Sequence, residues 1–227
     1  MSVTDGQPKP VHAKYLDDAS VQDILRMAVA CAAWGDANMV GLEINTDGVN
    51  LLAATAFGIV HEHHGAIVSL LLAGRLGSGL ALLRPTFEAL VRGIWLLRGA
   101  KDDQIELYLA GKDSKKIEGL LKDLRKGPQS AEDAFLQATW TKSERSLHQF
   151  THVSHQMLIR RWSFDVETAM PMTEVVDAIK FATGAALLAS IELARLALHL
   201  GLEQHAMRLL SVLYPMESPF AGQASSD

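Results

Sequence analysis

One cysteine, Cys31, stands in 227 residues, inside the apolar run AVACAAW. A single thiol excludes an internal disulfide framework and a thiol-rich metal knuckle, and leaves Cys31 as a buried small hydrophobe. Aromatics are sparse, with 3 Tyr, 7 Phe and 4 Trp, and β-branched stretches are few. That scarcity argues against a sheet-rich fold. Positive charge is not in excess: 21 Lys and Arg face 26 Asp and Glu, a formal net charge of −5. The overall footprint of a dedicated duplex binder is therefore missing, and only a local basic patch is left as a route to phosphate. No internal repeat recurs, and no long hydrophobic run is clean. IVSLLLAGRLGSGLALL is interrupted by Arg75, Gly77 and Gly79, and FATGAALLASIELARLALHL by Glu192 and Arg195. Both read as buried bundle helices, so no membrane partner is expected. The start, MSVTDGQPKPVHAK, lacks the basic-then-apolar order of a secretory signal, which makes a cytoplasmic location the expectation.

What is present is helix-forming. Leu and Ala are abundant, 48% of residues are hydrophobic and 21% charged, as in a soluble, all-α single bundle. The expected organisation is a poorly ordered lead over residues 1–17, a helical domain over 18–213 and a flexible tail over 214–227. About four long core helices with shorter peripheral ones are expected. Ser20 is placed to cap a fairly short first helix ending near Gly35 and Asp36. A long helix follows Thr46-Asp47-Gly48 to about Arg75, where GSG at 77–79 breaks it. LALLRPTFEALVRGIWLLRG makes the next helix, kinked or restarted late at Pro85. A charged, exposed middle portion runs to KGP at 126–128, and helix resumes from Ser130 to Trp140. A further helix covers about Thr141 to Arg161. Thr173 is placed to cap the last long helix, to Leu200, with Glu174 in its first turn, and a short helix spans about Glu203 to Leu213.

The chemistry concentrates in RSLHQFTHVSHQMLIRR, residues 145–161. At about 100° per residue, Arg145, His148, Gln149, His152, His155 and Gln156 share one helix face, and Leu147, Phe150, Val153, Met157 and Leu158 form the opposite, core-facing stripe. A solvated face is usually filled by Lys and Glu, whereas His suits proton transfer or metal binding. Arg160 and Arg161, followed by Trp162, suit a phosphate or base contact at the helix end. On the earlier helix Arg84, Glu88 and Arg92 are spaced i, i+4, i+8 with Trp95 and Arg98 on their side, so an Arg84–Glu88 ion pair is expected, or a bend at Pro85 that presents both to the histidine face. His61, His63 and His64 in HEHH read as a polar patch on a long helix. His12, His199 and His205 have no evident partners.

Three readings of the histidine face stay open: a solvated polar face, a metal site and a phosphoryl-transfer site. For metal, His148 and His152 form an i,i+4 pair that His61 and His64 are available to complete. That pattern resembles the three-histidine site of DinB-like bundles, which implies a divalent ion such as zinc or nickel; HEHH is not HExxH, since position 65 is Gly. For phosphoryl transfer, a histidine acts as general acid or base at a 2′-hydroxyl and a fixed arginine stabilises charge on phosphorus, with no metal cofactor. Arg145-Ser146-x5-His152 resembles the R-polar-x-H motif of HEPN domains. LLRPTFEALVRGIWLL is similar to the LxRPxxE helix of uncharacterised bacterial families that also carry a THxxxH-type helix, here LHQFTHVSH. These resemblances imply a HEPN-like bundle and a homodimer, with Arg145 and His152 from two copies across a shared cleft. They also imply, by analogy, a metal-independent ribonuclease of toxin–antitoxin or phage-defence type with RNA, a nucleotide or a cognate protein as partner. In that reading His152 is acid or base, Arg145 stabilises the transition state, and Arg84 with Glu88 orients them. His148, Gln149, His155, Gln156, Arg160 and Arg161 bind. The contrasting class is a non-catalytic helical binding protein.

Overall fold

The computed structural model describes residues 14–44, 48–112, 115–127, 131–151 and 171–215, and among these the regular elements are helices, with no strand. A 3-10 turn, Lys14–Asp17, leads into α1, Ala19–Met39. Tyr15, inside the stretch expected to be disordered, is only 2% exposed, and its hydroxyl donates to the Leu71 carbonyl at 2.5 Å. Asp18, not Ser20, caps α1: its carboxylate accepts from the amides of Ser20 and Val21 at 2.9 and 3.1 Å. A carboxylate at this position satisfies orphan donors and complements the helix dipole. The helix does not stop at Gly35. Residue 35 has no side chain because a Cβ there would lie 3.1 Å from Nδ1 of His61 on the neighbouring helix.

That neighbour is α2, Gly48–Leu72, which ends before the expected Arg75. Gly74 adopts φ +73°, its amide bonds to the Leu71 carbonyl and the Arg75 amide bonds to Leu70, a Schellman termination that only a residue tolerant of positive φ supports cheaply. The GSG expected as the break instead lies within α3, Leu76–Ala81, where Gly79 lets the chain pack against Leu71. The restart expected at Pro85 is present: α4 spans Leu83–Arg98, and Pro85 sits in its first turn, where a missing amide costs no helical bond. The charged middle portion folds as two short helices, α5 (Asp102–Leu109) and α6 (Ile117–Leu124). The segments expected to divide at Trp140 are one helix, α7, Ala131–Thr151. Then come α8, Met172–Leu196, and α9, Leu200–Leu213. Pro171, not Thr173, stands at the cap of α8, and His199 caps α9 by accepting from the Leu202 amide at 3.3 Å.

Helix α2 is the hub: it packs on α4 and α8, while α1 and α9 lie on α8, α6 lies on α4, and α7 crosses α3 and α4. Phe57 of α2 and Phe87, Leu90 and Ile94 of α4 are all at or below 1% exposure. Each such side chain contributes roughly 1.5–3 kcal/mol by burial. Gly93 makes the α2–α4 approach possible, since a Cβ there would meet Phe57 Cε1 at 2.5 Å. Trp95, expected beside Arg84 on the charged side, is fully buried under α6, because α4 is covered on two sides. Cys31 is buried as expected.

Two polar features lie within the core. His64 is 1% exposed, with Nε2 3.2 Å from Thr183 Oγ1, and His61 Nε2 is 3.3 Å from Ser190 Oγ. Each hydroxyl already gives its hydrogen to a carbonyl of its own helix, Ile179 and Ala186 respectively, so each histidine donates through Nε2 and stays neutral. Burial pushes both rings down to about 4; Asp36 opposes this at His61, and the neighbouring His61 reinforces it at His64. At the opposite end of α4, Arg98 pairs with Glu192 at 3.1 Å and Asp133 at 3.4 Å, and Arg195 pairs with Glu192 at 3.2 Å and Glu203 at 2.7 Å. The charges that interrupt the greasy run of α8 thus join α4, α7, α8 and α9, with the carboxylates of Glu192 and Asp133 buried and the guanidinia half-buried. No helix among the described residues is long and apolar enough to cross a membrane.

Candidate functional site

The first turn of α4 carries Arg84 toward α7. Its Nε donates to Glu88 Oε1 at 2.8 Å, the i,i+4 pair expected from the sequence, and its Nη1 donates to Nδ1 of His148 at 2.6 Å. Arginine cannot accept, so Nδ1 of His148 is the acceptor and the neutral ring carries its proton on Nε2. One guanidinium therefore fixes a carboxylate and a histidine tautomer together, which a lysine's point charge does not do.

These residues line a cleft of about 660 Å³ between α4, α6 and α7. Arg92, Lys115, Lys116, Lys142 and Arg145 join Arg84 there, six cations against the three carboxylates of Glu88, Glu118 and Glu144. In a chain of net charge −5 this is a local reversal of sign. Arg92 and Lys115 are held by named partners. The Arg92 guanidinium lies 5.5 Å from the Tyr108 ring centre and donates to the Lys115 carbonyl at 3.4 Å. Lys115 lies over Trp95 at 5.4 Å and bonds to Asp123, which also accepts from Trp95 Nε1 at 3.3 Å and from Lys126 at 2.9 Å. Partial burial pushes the Asp123 carboxyl up, but these donors outweigh it and hold the group at about 2. Lys116, Ile117 and Glu118 bring the start of α6 to the wall, adding the positive end of a helix dipole.

Of the residues singled out in the sequence, Arg84, Glu88, Arg92, Arg145 and His148 meet in this cleft, and Leu147 and Phe150 are buried on the other side of α7 as the stripe requires. Gln149 is half-buried and does not line the cleft. His152, His155, Gln156, Arg160 and Arg161 lie outside the described residues. His61 and His64 face the hydroxyls of α8 rather than His148. Among the described residues no group of three or more His, Cys, Asp or Glu is placed to hold a metal ion. Lys115 and Lys116 carry no motif beyond the basic run KDSKK at 112–116, and Lys142 carries none; only the fold brings them beside Arg84.

A family model described as "Family of unknown function (DUF6988)" matches residues 57–216. The chain belongs to DUF6988. The DUF6988 span runs from the middle of α2 through α9 and contains every residue that lines the cleft. Neither the curated proteins nor the solved structures provide a match.

Proposed function

We propose that the protein is an RNA-binding helical bundle, HEPN-like in character, that holds a single strand by its phosphates in the cleft between α4, α6 and α7. The observation that carries this reading is the convergence of six cations on one concave surface of an acidic chain, with one of them hydrogen-bonded to a histidine. Phosphate contacts dominate the affinity of proteins for nucleic acid, and in a chain of net charge −5 the cleft concentrates the cations able to make them. Glu88, Glu118 and Glu144 supply acceptors for 2′-hydroxyls or exocyclic amines, a combination a bare phosphate site lacks. The test is fluorescence anisotropy of a labelled single-stranded RNA octamer with the full chain. Saturable binding at low salt, weakened in Arg84→Ala and Arg145→Ala with helicity retained, is expected; no binding at 50 mM salt overturns the reading.

The hydrogen bond from Arg84 to His148 favours a second step, metal-independent strand cleavage. In that reaction a 2′-hydroxyl attacks phosphorus, its proton passes to a base, the bond from phosphorus to the 5′-oxygen breaks, and the leaving oxygen takes a proton from an acid. The neutral His148 ring, with its proton on Nε2, donates a hydrogen bond to a phosphoryl oxygen and orients the strand, and Arg145 lines the same cleft for charge on phosphorus. His152 remains the sequence's candidate for acid or base. RNA of defined sequence should yield 2′,3′-cyclic phosphate ends that disappear in His148→Ala and His152→Ala.

A further inference from the structure

A second cavity, about 230 Å³, lies on the other flank of α7, between α7, the start of α8 and the end of α9. Its walls are aromatic and aliphatic, with Leu83, Leu147, Phe150, Phe181 and Phe135 among them, and its rim carries Lys142, Lys180, Asp177 and Ser146. It adjoins the cationic cleft through two links. Lys142 lines both cavities, and the neighbours Leu83 and Arg84 on α4 face one each. A third connection runs through the core: Trp140, which lines the cleft, stacks on Phe87 at 5.8 Å with planes 2° apart, and Phe87 packs on Phe181, which lines the pocket, at 5.5 Å. Helix α7 is about 10–12 Å across with its side chains, within reach of one nucleotide whose phosphate stays on the cationic side.

We infer that this pocket is a base subsite: it takes one nucleobase of the strand whose phosphates occupy the cleft, with the sugar passing over Lys142. The inference rests on the RNA-binding reading above. An apolar, aromatic-walled pocket with polar groups only at its mouth suits a flat heterocycle, which stacks by its faces and hydrogen-bonds by its edge. Asp177 accepts from an exocyclic amine, and Lys180 and Ser146 donate to ring or carbonyl acceptors. A phosphate gains nothing from such walls. The locked ring stack from Trp140 to Phe181 means the wall is in place before a base enters, so little ordering is lost on binding.

The experiment compares a single-stranded RNA octamer carrying one 2-aminopurine with the same octamer abasic at that position, both titrated into the full chain. Binding of the first should quench its fluorescence, and the abasic octamer should bind about tenfold more weakly, the range of one stacked base. Ser143→Phe at the rim, or Ala178→Leu from the floor if the former misfolds, should bring the intact octamer down to the abasic affinity while the salt dependence is unchanged. Equal affinity for intact and abasic octamers with no quenching overturns the base subsite and leaves the RNA reading standing. Binding of neither octamer overturns both.

Discussion

Arg84 Nη1 and His148 Nδ1 lie 2.6 Å apart although 64 residues separate them in the chain. The same guanidinium bonds to Glu88 four residues away, so its orientation is set locally before α7 docks. Arg84→Lys keeps the charge and loses the fork. It is expected to weaken RNA binding, though less than Arg84→Ala does because the charge remains, which anisotropy measures; full affinity in the lysine variant would remove the histidine contact from the account.

Salt provides a second check. If about four phosphates are neutralised in the cleft, the logarithm of the binding constant falls with the logarithm of salt at a slope of about −3 for a single strand. Arg145→Ala should flatten that slope by about 0.7, whereas charge removal outside the cleft, at Arg26, should leave it unchanged. Arg26 lies on the solvent side of α1, paired with Asp23.

Acid should unfold the bundle through α2 and α8. His61 and His64 are held near 4 in the folded protein against about 6.5 when unfolded, so the unfolded state binds more protons. Their contribution is complete above about pH 6.5 and is lost as pH falls toward 4, each group adding up to about 1.4 kcal/mol per pH unit. Urea midpoints between pH 7 and 4.5 test this, and His64→Leu should flatten the profile. Thr183 keeps its bond to the Ile179 carbonyl in that variant.

Two glycines distinguish packing from helix propensity. Gly93→Ala puts a methyl against Phe57 and should cost about 1–3 kcal/mol. Gly58→Ala, also within a helix but with open space around it, should stabilise by about 0.5–1 kcal/mol. Thermal melting of the pair decides; equal effects would mean α2 and α4 do not approach as described.

Glu192 is 4% exposed and neutralises two arginines. Glu192→Ala leaves Arg98 to Asp133 and Arg195 to Glu203, and should cost about 2–4 kcal/mol, part of it moderated by the partial exposure of both guanidinia. Chemical denaturation measures it, with loss of cooperativity between α7 and the rest as a further sign.

Helix type and most core faces were legible because they depend on local periodicity: Leu83, Phe87, Leu90 and Ile94 repeat at helical spacing and are all buried. Boundaries were less so. The break after α2 depends on the φ of Gly74, which competes on equal terms in the sequence with Gly77 and Gly79 until packing against Leu71 claims the latter. For the site, Arg84, Glu88, Arg145 and His148 were readable as chemistry-bearing residues on two helices. That Lys115 and Lys116 join them depends on α6 folding back on α4 through Asp123 and Trp95, a tertiary relationship without a local signature. HEHH is polar, and by itself it marks only a polar patch on a long helix; that His61 and His64 turn inward depends on the pair of small hydroxyls on α8 able to receive them.

Trp140 stands 6% exposed at the boundary between the wet cleft and the dry core, its ring parallel to that of Phe87. The molecule therefore carries its own optical reporter. Entry of a ligand into the cleft alters the environment of the Trp140 indole edge and, through Lys115, of Trp95 enclosed beneath α6, so a small shift in intrinsic emission would register occupancy with no label attached.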